Sequence, residues 1–278
     1  MKISYFPNQI ALNSDHVIKA FISGCNTLGH EVVANSMTAD AAVIWSVLFQ
    51  GRMFGNQQVY ENYRKQNKPV FVIEVGSLKR GHLWKISLNN INRLATWKNE
   101  KDLNLGRPAM LGLFLQDFRQ IRAETILIAT QHERSLQWKG NPPVHQWVRD
   151  TISEIRKYSD RPIVIRPHPR YRIPPIFDKG ITTENPRPLP DTYSEYDINF
   201  NHHCVVNFCS GPSVQAPIFG TPIICDQSSL AYPVSIPFDQ IESAFLPDRQ
   251  DWFVKLCHTE WTVEEIAAGI PIRRLLEE

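Results

Sequence analysis

The stretch Pro162-Ile163-Val164-Ile165-Arg166-Pro167-His168-Pro169-Arg170 decides the fold, together with the later run Val205-Val206-Asn207-Phe208-Cys209-Ser210-Gly211-Pro212-Ser213. Each is a short apolar, β-branched run that stops abruptly at rigid or polar residues. Such runs read as buried strands. An open α/β sheet places its ligand contacts just past the C-terminal ends of its strands. The first run brings Arg166, His168 and Arg170 to that edge. The second brings Ser210, Gly211 and Ser213 to a strand-to-helix turn. Two prolines preset the backbone around His168, so little freedom is lost on binding. The arginines can fork onto phosphate oxygens, and His168 can donate to one or cap a carbonyl. A helix start supplies free N–H groups at the positive end of its dipole, and Gly211 permits close backbone approach. The pattern predicts a site for a phosphorylated ligand, most simply a nucleotide. A Pro-rich turn with solvated arginines, and a simply capped helix, are the competing structural readings.

Outward from these motifs, apolar runs alternate with helix-like segments. Lys2–Tyr5, Glu31–Ala34, Ala41–Trp45 and Pro69–Glu74 read as strands, and Ser14–Leu28 and Val59–Gln66 as helices. Residues Gly76 to Asn104 read as irregular. The alternation resumes with strands at Thr125–Thr130, Pro162–Arg166, Val205–Phe208 and Pro222–Cys225, and with helices at Pro143–Tyr158 and Ser213–Phe219. Dense prolines make Tyr171–Pro190 a loop region. Thr262-Val263-Glu264-Glu265 resembles a capping box opening a final helix. Alternating strands and helices argue for parallel sheets. The expected fold is therefore α/β, with two Rossmann-like domains facing a cleft. Residues 1–115 form an N-terminal acceptor-side domain and 116–260 a C-terminal nucleotide-sugar-binding domain. Residues 261–278 form a terminal helix crossing back to the first domain.

Composition narrows the class. The 278 residues are 42% hydrophobic and 21% charged, with a formal charge of +2. That balance neither demands nor excludes nucleic acid. No run approaches the roughly 18 apolar residues of a membrane span, and the start lacks the pattern of a signal peptide. Five cysteines, Cys25, Cys204, Cys209, Cys225 and Cys257, lie in or beside apolar runs. They read as reduced thiols of a cytoplasmic protein. Cys204 and Cys209 with His202 and His203 do not have the spacing of a common zinc site. No metal site is expected.

Further candidates sit at other strand ends. Gln131 and Arg134 follow Ile126–Ala129 and would lie beside the nucleotide. In the N-terminal half, Glu74 is a carboxylate on an otherwise apolar strand and the candidate general base; a structural pairing with Arg80 is the competing reading. Gln50 and Arg52 follow another strand and are candidate acceptor contacts. Lys79, Arg80, Lys85, Arg93 and Lys98 interleave with Trp84 and Trp97. Such a surface neutralises phosphates and stacks bases, or is a solvated loop with two anchored Trp residues.

The C-terminal motifs resemble those of GT-B-type glycosyltransferases, and more narrowly the capsule-polysaccharide transferase group. The matching residues are Arg166, Pro167, His168 and Pro169, then Ser210, Gly211 and Ser213, then Gly220, Thr221 and Pro222, within Thr125–Gln227. The resemblance implies a donor nucleotide held by these motifs. It departs at Gln215, where many such enzymes carry a Glu that holds the ribose hydroxyls; Gln215 can still hydrogen-bond a ribose. The Glu-Val-Gly-Ser-Leu-Lys-Arg-Gly stretch from Glu74 is similar to small phage-encoded glycosyltransferases that modify hydroxymethylated pyrimidines in DNA.

The combined expectation is a glycosyltransferase with a nucleotide-sugar co-substrate, a UDP-sugar, and no required cofactor. No Asp-x-Asp motif occurs; Arg166, His168, Arg170 and the helix start can stabilise the leaving diphosphate instead. The expected acceptor is a 5-hydroxymethylpyrimidine in double-stranded phage DNA, flipped out of the duplex, in the host cytoplasm. A surface or capsule polysaccharide acceptor is the alternative. A non-catalytic nucleotide-binding module is the second, since fold alone does not prove chemistry.

Overall fold

In a computed structural model, described for residues 1–119, 123–243 and 246–277, the chain forms two α/β units. The elements in chain order are β1 (Lys2–Tyr5), α1 (Asp15–Thr27), β2 (Glu31–Ala34), β3 (Ala41–Trp45), α2 (Asn56–Lys65), β4 (Val70–Val75), β5 (Trp84–Leu88), α3 (Arg107–Met110), β6 (Ile126–Ala129) and α4 (Val144–Ile155). They continue with β7 (Ile163–Arg166), β8 (Ile181–Thr183), β9 (Cys204–Asn207), α5 (Gly211–Ile218), β10 (Ile223–Cys225), α6 (Gln250–Cys257), β11 (Glu260–Trp261), α7 (Val263–Ala267) and α8 (Ile270–Leu276).

The first unit comprises Met1–Asn104, Arg134–Gln137 and Lys255–Glu278. Its sheet runs β11-β5-β4-β3-β1-β2. β2, β1, β3 and β4 are parallel; β5 is added antiparallel to β4, and β11 antiparallel to β5. The apolar run of β3 is buried on both faces, as a parallel strand covered by helices must be. Ala41, Val43 and Trp45 join the core beneath α1 and α8. Ala42 and Ile44 join the opposite core with Val59 and Tyr63 of α2. In α1, Val17, Ile18, Phe21 and Cys25 share one buried face at helical spacing.

The second unit comprises Leu105–Glu133 and Trp138–Val254. Its sheet is wholly parallel, in the order β10-β9-β6-β7-β8. Counted within the unit this is the Rossmann order, with its switch point between β6 and β9. Ile126, Ile128, Ile163, Ile165, Cys204 and Val206 pack with Val144, Val148, Ile152 and Ile155 of α4.

The chain changes unit between Asn104 and Leu105, where the sequence reading placed the boundary at 115/116. It returns at Lys255, ahead of the expected 260/261. β11 pairs there with β5, and Asn104 N–H donates to His258 Nε2 at 3.2 Å. The stretch expected to be irregular after Gly76 holds β5, and the Pro-rich loop holds the three-residue edge strand β8. The capping box is formed: Thr262 Oγ1 accepts from Glu265 N–H, and Glu265 Oε2 accepts from Thr262 N–H.

Candidate functional site

The edge of the second unit is built by hydrogen bonds among the residues that leave its strands. Thr130 follows β6, and its N–H donates to Arg166 O at 2.9 Å. Its hydroxyl accepts from the His168 N–H at 2.8 Å. Pro167 and Pro169 thus flank a residue whose backbone is also tied to the neighbouring strand. The His168 ring accepts the Arg170 N–H at Nδ1, 3.1 Å away. With Nδ1 an acceptor, a neutral imidazole carries its proton on Nε2, which is then a hydrogen-bond donor. A donor at Nε2 suits a phosphate oxygen.

His132 meets the His168 ring edge-on, with centroids 5.2 Å apart, and lies 5.1 Å from the Tyr171 ring. The Tyr171 hydroxyl donates to Glu133 Oε2 at 2.7 Å, and the Val144 N–H at the start of α4 donates to the same oxygen at 3.1 Å. These two donors hold the Glu133 carboxyl below the usual carboxylate range, the tyrosine contact contributing most. The Tyr171 N–H closes the turn onto His168 O at 2.9 Å.

Across the switch point, Asn207 ends β9 and is buried. Its Nδ2 donates to Ala129 O at 2.8 Å and to Ser210 Oγ at 2.9 Å, while its Oδ1 accepts from Ser210 N–H at 2.8 Å. Gln131 Oε1 accepts from Cys209 N–H at 3.2 Å. The ends of β6 and β9 are therefore stitched together where α5 begins. Ser210 is the N-cap residue of α5 but its side chain caps no helix N–H. Asn207 was not singled out from sequence. The available signal was a polar amide closing an apolar strand one turn before a Ser-Gly-Pro helix start.

The expected donor-site residues divide by burial. His168, Ser210, Gly211 and Gln215 are half-buried at this edge, and Arg170 is exposed. Gln131, Ser213 and Arg166 are buried and committed to the protein. Ser213 Oγ donates to Ser210 O at 2.7 Å and pairs with Ser229 Oγ at 2.8 Å. The Arg166 guanidinium donates to Asp197 O. Gln131 and Ser213 shape the edge instead of lying open to a ligand, and Arg166 is covered by Asp197. Arg134 is exposed in the 134–137 segment of the first unit, so its expected place in the C-terminal domain is corrected. The Leu136 N–H of that segment donates to Val47 O at 2.9 Å.

In the first unit, Glu74 is half-buried near the end of β4. Its Oε2 accepts from Ser46 Oγ at 2.6 Å, and its Oε1 accepts from the Val75 N–H at 2.9 Å. Ser46 follows β3 with φ of 66°, a conformation uncommon outside glycine. The competing partner Arg80 acts electrostatically on Glu260. Gln50 is half-buried; Arg52 is exposed, and its Nε donates to Ile10 O at 3.1 Å.

The basic, Trp-bearing surface expected between Lys79 and Lys98 is corrected. Trp84 and Lys85 lie on β5 and are buried, as is Trp97, whose Nε1 donates to Asn92 O. Lys85 Nζ donates to Ser77 Oγ at 2.7 Å and lies 4.0 Å from Glu260 Oε1. Lys79, Arg93 and Lys98 are exposed and Arg80 half-buried. A buried charge is kept because its partner is buried with it; Glu260 supplies that partner from the far end of the chain. The two Trp residues that would stack bases are interior.

Among the described residues no cluster of three or more His, Cys, Asp or Glu side chains is placed to hold a metal ion. His202 Nδ1 lies 2.8 Å from Thr125 Oγ1, and His203 Nε2 lies 2.8 Å from Ile241 O. No described helix is long and apolar enough to cross a membrane.

Two Rossmann-like α/β units define the class, the build implied by the resemblance to GT-B-type glycosyltransferases. Among solved structures the chain is similar to KpsC, beta Kdo 2,4 transferase, of Thermosulfurimonas dismutans, at 13% identity over 92% of this chain and 89% of that one, with a TM-score of 0.48. It is similar to the KpsC beta Kdo 2,7 transferase of the same organism at 12% identity over 98% and 99%, with a TM-score of 0.45. A UDP-GlcNAc 2-epimerase of Methanocaldococcus jannaschii, solved with UDP-GlcNAc and UDP, aligns at 11% identity over 97% and 98%, with a TM-score of 0.32. No protein-family model matches the chain, and no curated protein matches it. At such low identities and TM-scores, function has to be read from the residues of this chain.

Proposed function

We propose that this protein is a glycosyltransferase that takes its sugar from a nucleotide-sugar donor, a UDP-sugar, and passes it to a saccharide hydroxyl. One observation carries the reading. The His168 N–H donates to the Thr130 hydroxyl, and the ring accepts the Arg170 N–H at Nδ1, so the neutral ring carries its proton on Nε2, at the same sheet edge as the start of α5. A phosphate there gains a directed N–H from the imidazole, and the α5 start adds the partial positive charge of a helix N-terminus. As the glycosidic bond to the donor breaks, negative charge grows on the leaving phosphate, and preorganised donors stabilise it without reorganising. In the first unit, Glu74 is the candidate base for the acceptor hydroxyl, with Gln50, Arg52, Lys79, Arg80 and Arg93 as candidate acceptor contacts.

The saccharide acceptor is preferred over DNA because burial of Trp84, Lys85 and Trp97 removes the surface on which the DNA reading rested. The motif resemblance to capsule-polysaccharide transferases points the same way.

The test is calorimetry with UDP, with GDP and CDP as controls, on wild type and His168→Ala. A charge-assisted contact is worth about 1.5–3 kcal/mol, so affinity should fall by roughly ten- to a hundredfold. Unchanged affinity for all three would sink the assignment. A transfer assay offering oligosaccharides and hydroxymethylated duplex DNA in parallel decides the acceptor; sugar incorporated only into DNA would overturn the saccharide reading.

A further inference from the structure

Arg166 ends β7 with its side chain only 7% exposed. Its Nη2 donates to the main-chain oxygen of Asp197, and Asp197 Oδ1 lies 3.9 Å from the same nitrogen. The carboxylate has closer partners elsewhere. The Arg187 N–H donates to Oδ1 at 2.7 Å, and Arg187 Nε donates to Oδ2 at 2.9 Å. The Arg187 side chain is 85% exposed. Two guanidinium groups thus converge on one carboxylate, beside the strand end that leads to His168.

Asp197 and Arg187 close the base of a hairpin. The Asp197 N–H donates to Arg187 O, the Leu189 N–H donates to Glu195 O, and Pro188 bridges Tyr196. Most of its residues are exposed. An exposed ion pair adds little stability, and a segment with few buried contacts opens at low free-energy cost. The buried Arg166 differs: leaving its charge uncompensated is expensive. Glu184 also acts on it electrostatically, favouring its charged form. An incoming anion would restore what opening the hairpin base removes, and the arginine fork fits phosphate as well as carboxylate.

We infer that Arg166 and Arg187 form an anion subsite for the diphosphate of a nucleotide, and that Asp197 fills it in the unliganded protein in place of a phosphate. This rests on the nucleotide reading above. Arg187 is then a ligand contact that no strand-end motif announced. Asp197 is a competitor that the ligand displaces from between the two arginines.

The experiment titrates the full chain with UDP and with inorganic pyrophosphate, for wild type, Arg187→Ala, Asp197→Asn and His168→Ala. Amide hydrogen exchange across residues 187–197 is followed in parallel. Arg187→Ala should weaken both anions about tenfold or more, by loss of one charge-assisted contact. Asp197→Asn should tighten both severalfold. Ligand should speed exchange at the Leu189 and Asp197 amides of wild type. Opposite signs in the two variants separate a competitor from a structural ion pair, which would weaken binding in both or in neither. Arg187 is exposed, so its variant remains informative if Asp197→Asn fails to fold. If wild type binds UDP and His168→Ala loses it while Arg187→Ala is unchanged, the subsite is wrong and the nucleotide site stands. If neither wild type nor Asp197→Asn binds either anion, both fall.

Discussion

The His168 N–H donates to the Thr130 hydroxyl at 2.8 Å, joining the residues that leave two adjacent parallel strands. The proline-flanked histidine therefore has one backbone position relative to β6, fixed before any ligand arrives. Preorganisation of this kind lowers the entropy lost on binding.

Thr130→Val keeps the shape of Thr130 and removes the acceptor. The His168 N–H loses its partner, a change worth about 1–3 kcal/mol where the group is shielded from water. Urea unfolding should register that loss, and UDP affinity should drop severalfold. His168→Ala should do the reverse, with stability close to wild type and affinity strongly reduced. Equal UDP affinity in Thr130→Val and wild type would refute a positioning role.

Glu74→Gln should lower kcat by about a hundredfold or more while leaving UDP affinity and donor KM near wild type, as expected when only a general base is lost. The amide oxygen can accept from only one of the Ser46 hydroxyl and the Val75 N–H, so the variant's stability is measured alongside its activity. Steady-state kinetics beside thermal melts distinguishes the two roles. A variant that keeps its kcat but melts earlier assigns Glu74 to structure.

Glu133 makes part of the stability dependent on acid. Its carboxyl is held below the usual range by the Tyr171 hydroxyl first and the Val144 N–H second. A depressed folded-state pKa contributes stability that is present above the unfolded value, about 4.3 for Glu, and lost as pH falls through the folded value. Unfolding midpoints in urea at pH 6 and pH 3 should therefore differ less for Glu133→Gln than for wild type. An identical difference in both proteins would contradict this linkage.

Gly76 sits between β4 and the buried Glu260 carboxylate. A Cβ there would lie 2.3 Å from Leu83 O and 2.4 Å from Glu260 Oε2. Glu260 accepts the Ser77 N–H at 2.6 Å and the Leu78 N–H at 3.0 Å, so the carboxylate cannot move aside without losing both. Gly76→Ala should destabilise the protein by about 1–3 kcal/mol, the usual range for overpacking. Differential scanning calorimetry reads this directly, and an unchanged Tm would show that the loop repacks freely.

By itself the sequence determined the parallel strands, the helices between them, the capping box at Thr262 and Glu265, and the placement of Arg166 and His168 at a strand end. These rest on local pattern: an apolar run needs two covered faces, and a proline cannot continue a strand. The tertiary structure alone decided which charges are interior. Lys85 read as part of a basic surface, because nothing near it in the chain announces Glu260; the pair exists only once β11 docks on β5. Arg166 read as open to phosphate, because its cover, Asp197, arrives on a later hairpin. Asn207 fell unremarked within the strand read over Val205–Phe208, whereas its amide bridges two strand ends. A charge is buried when a partner compensates its desolvation, and that partner is chosen by proximity in the fold, which sequence spacing does not record.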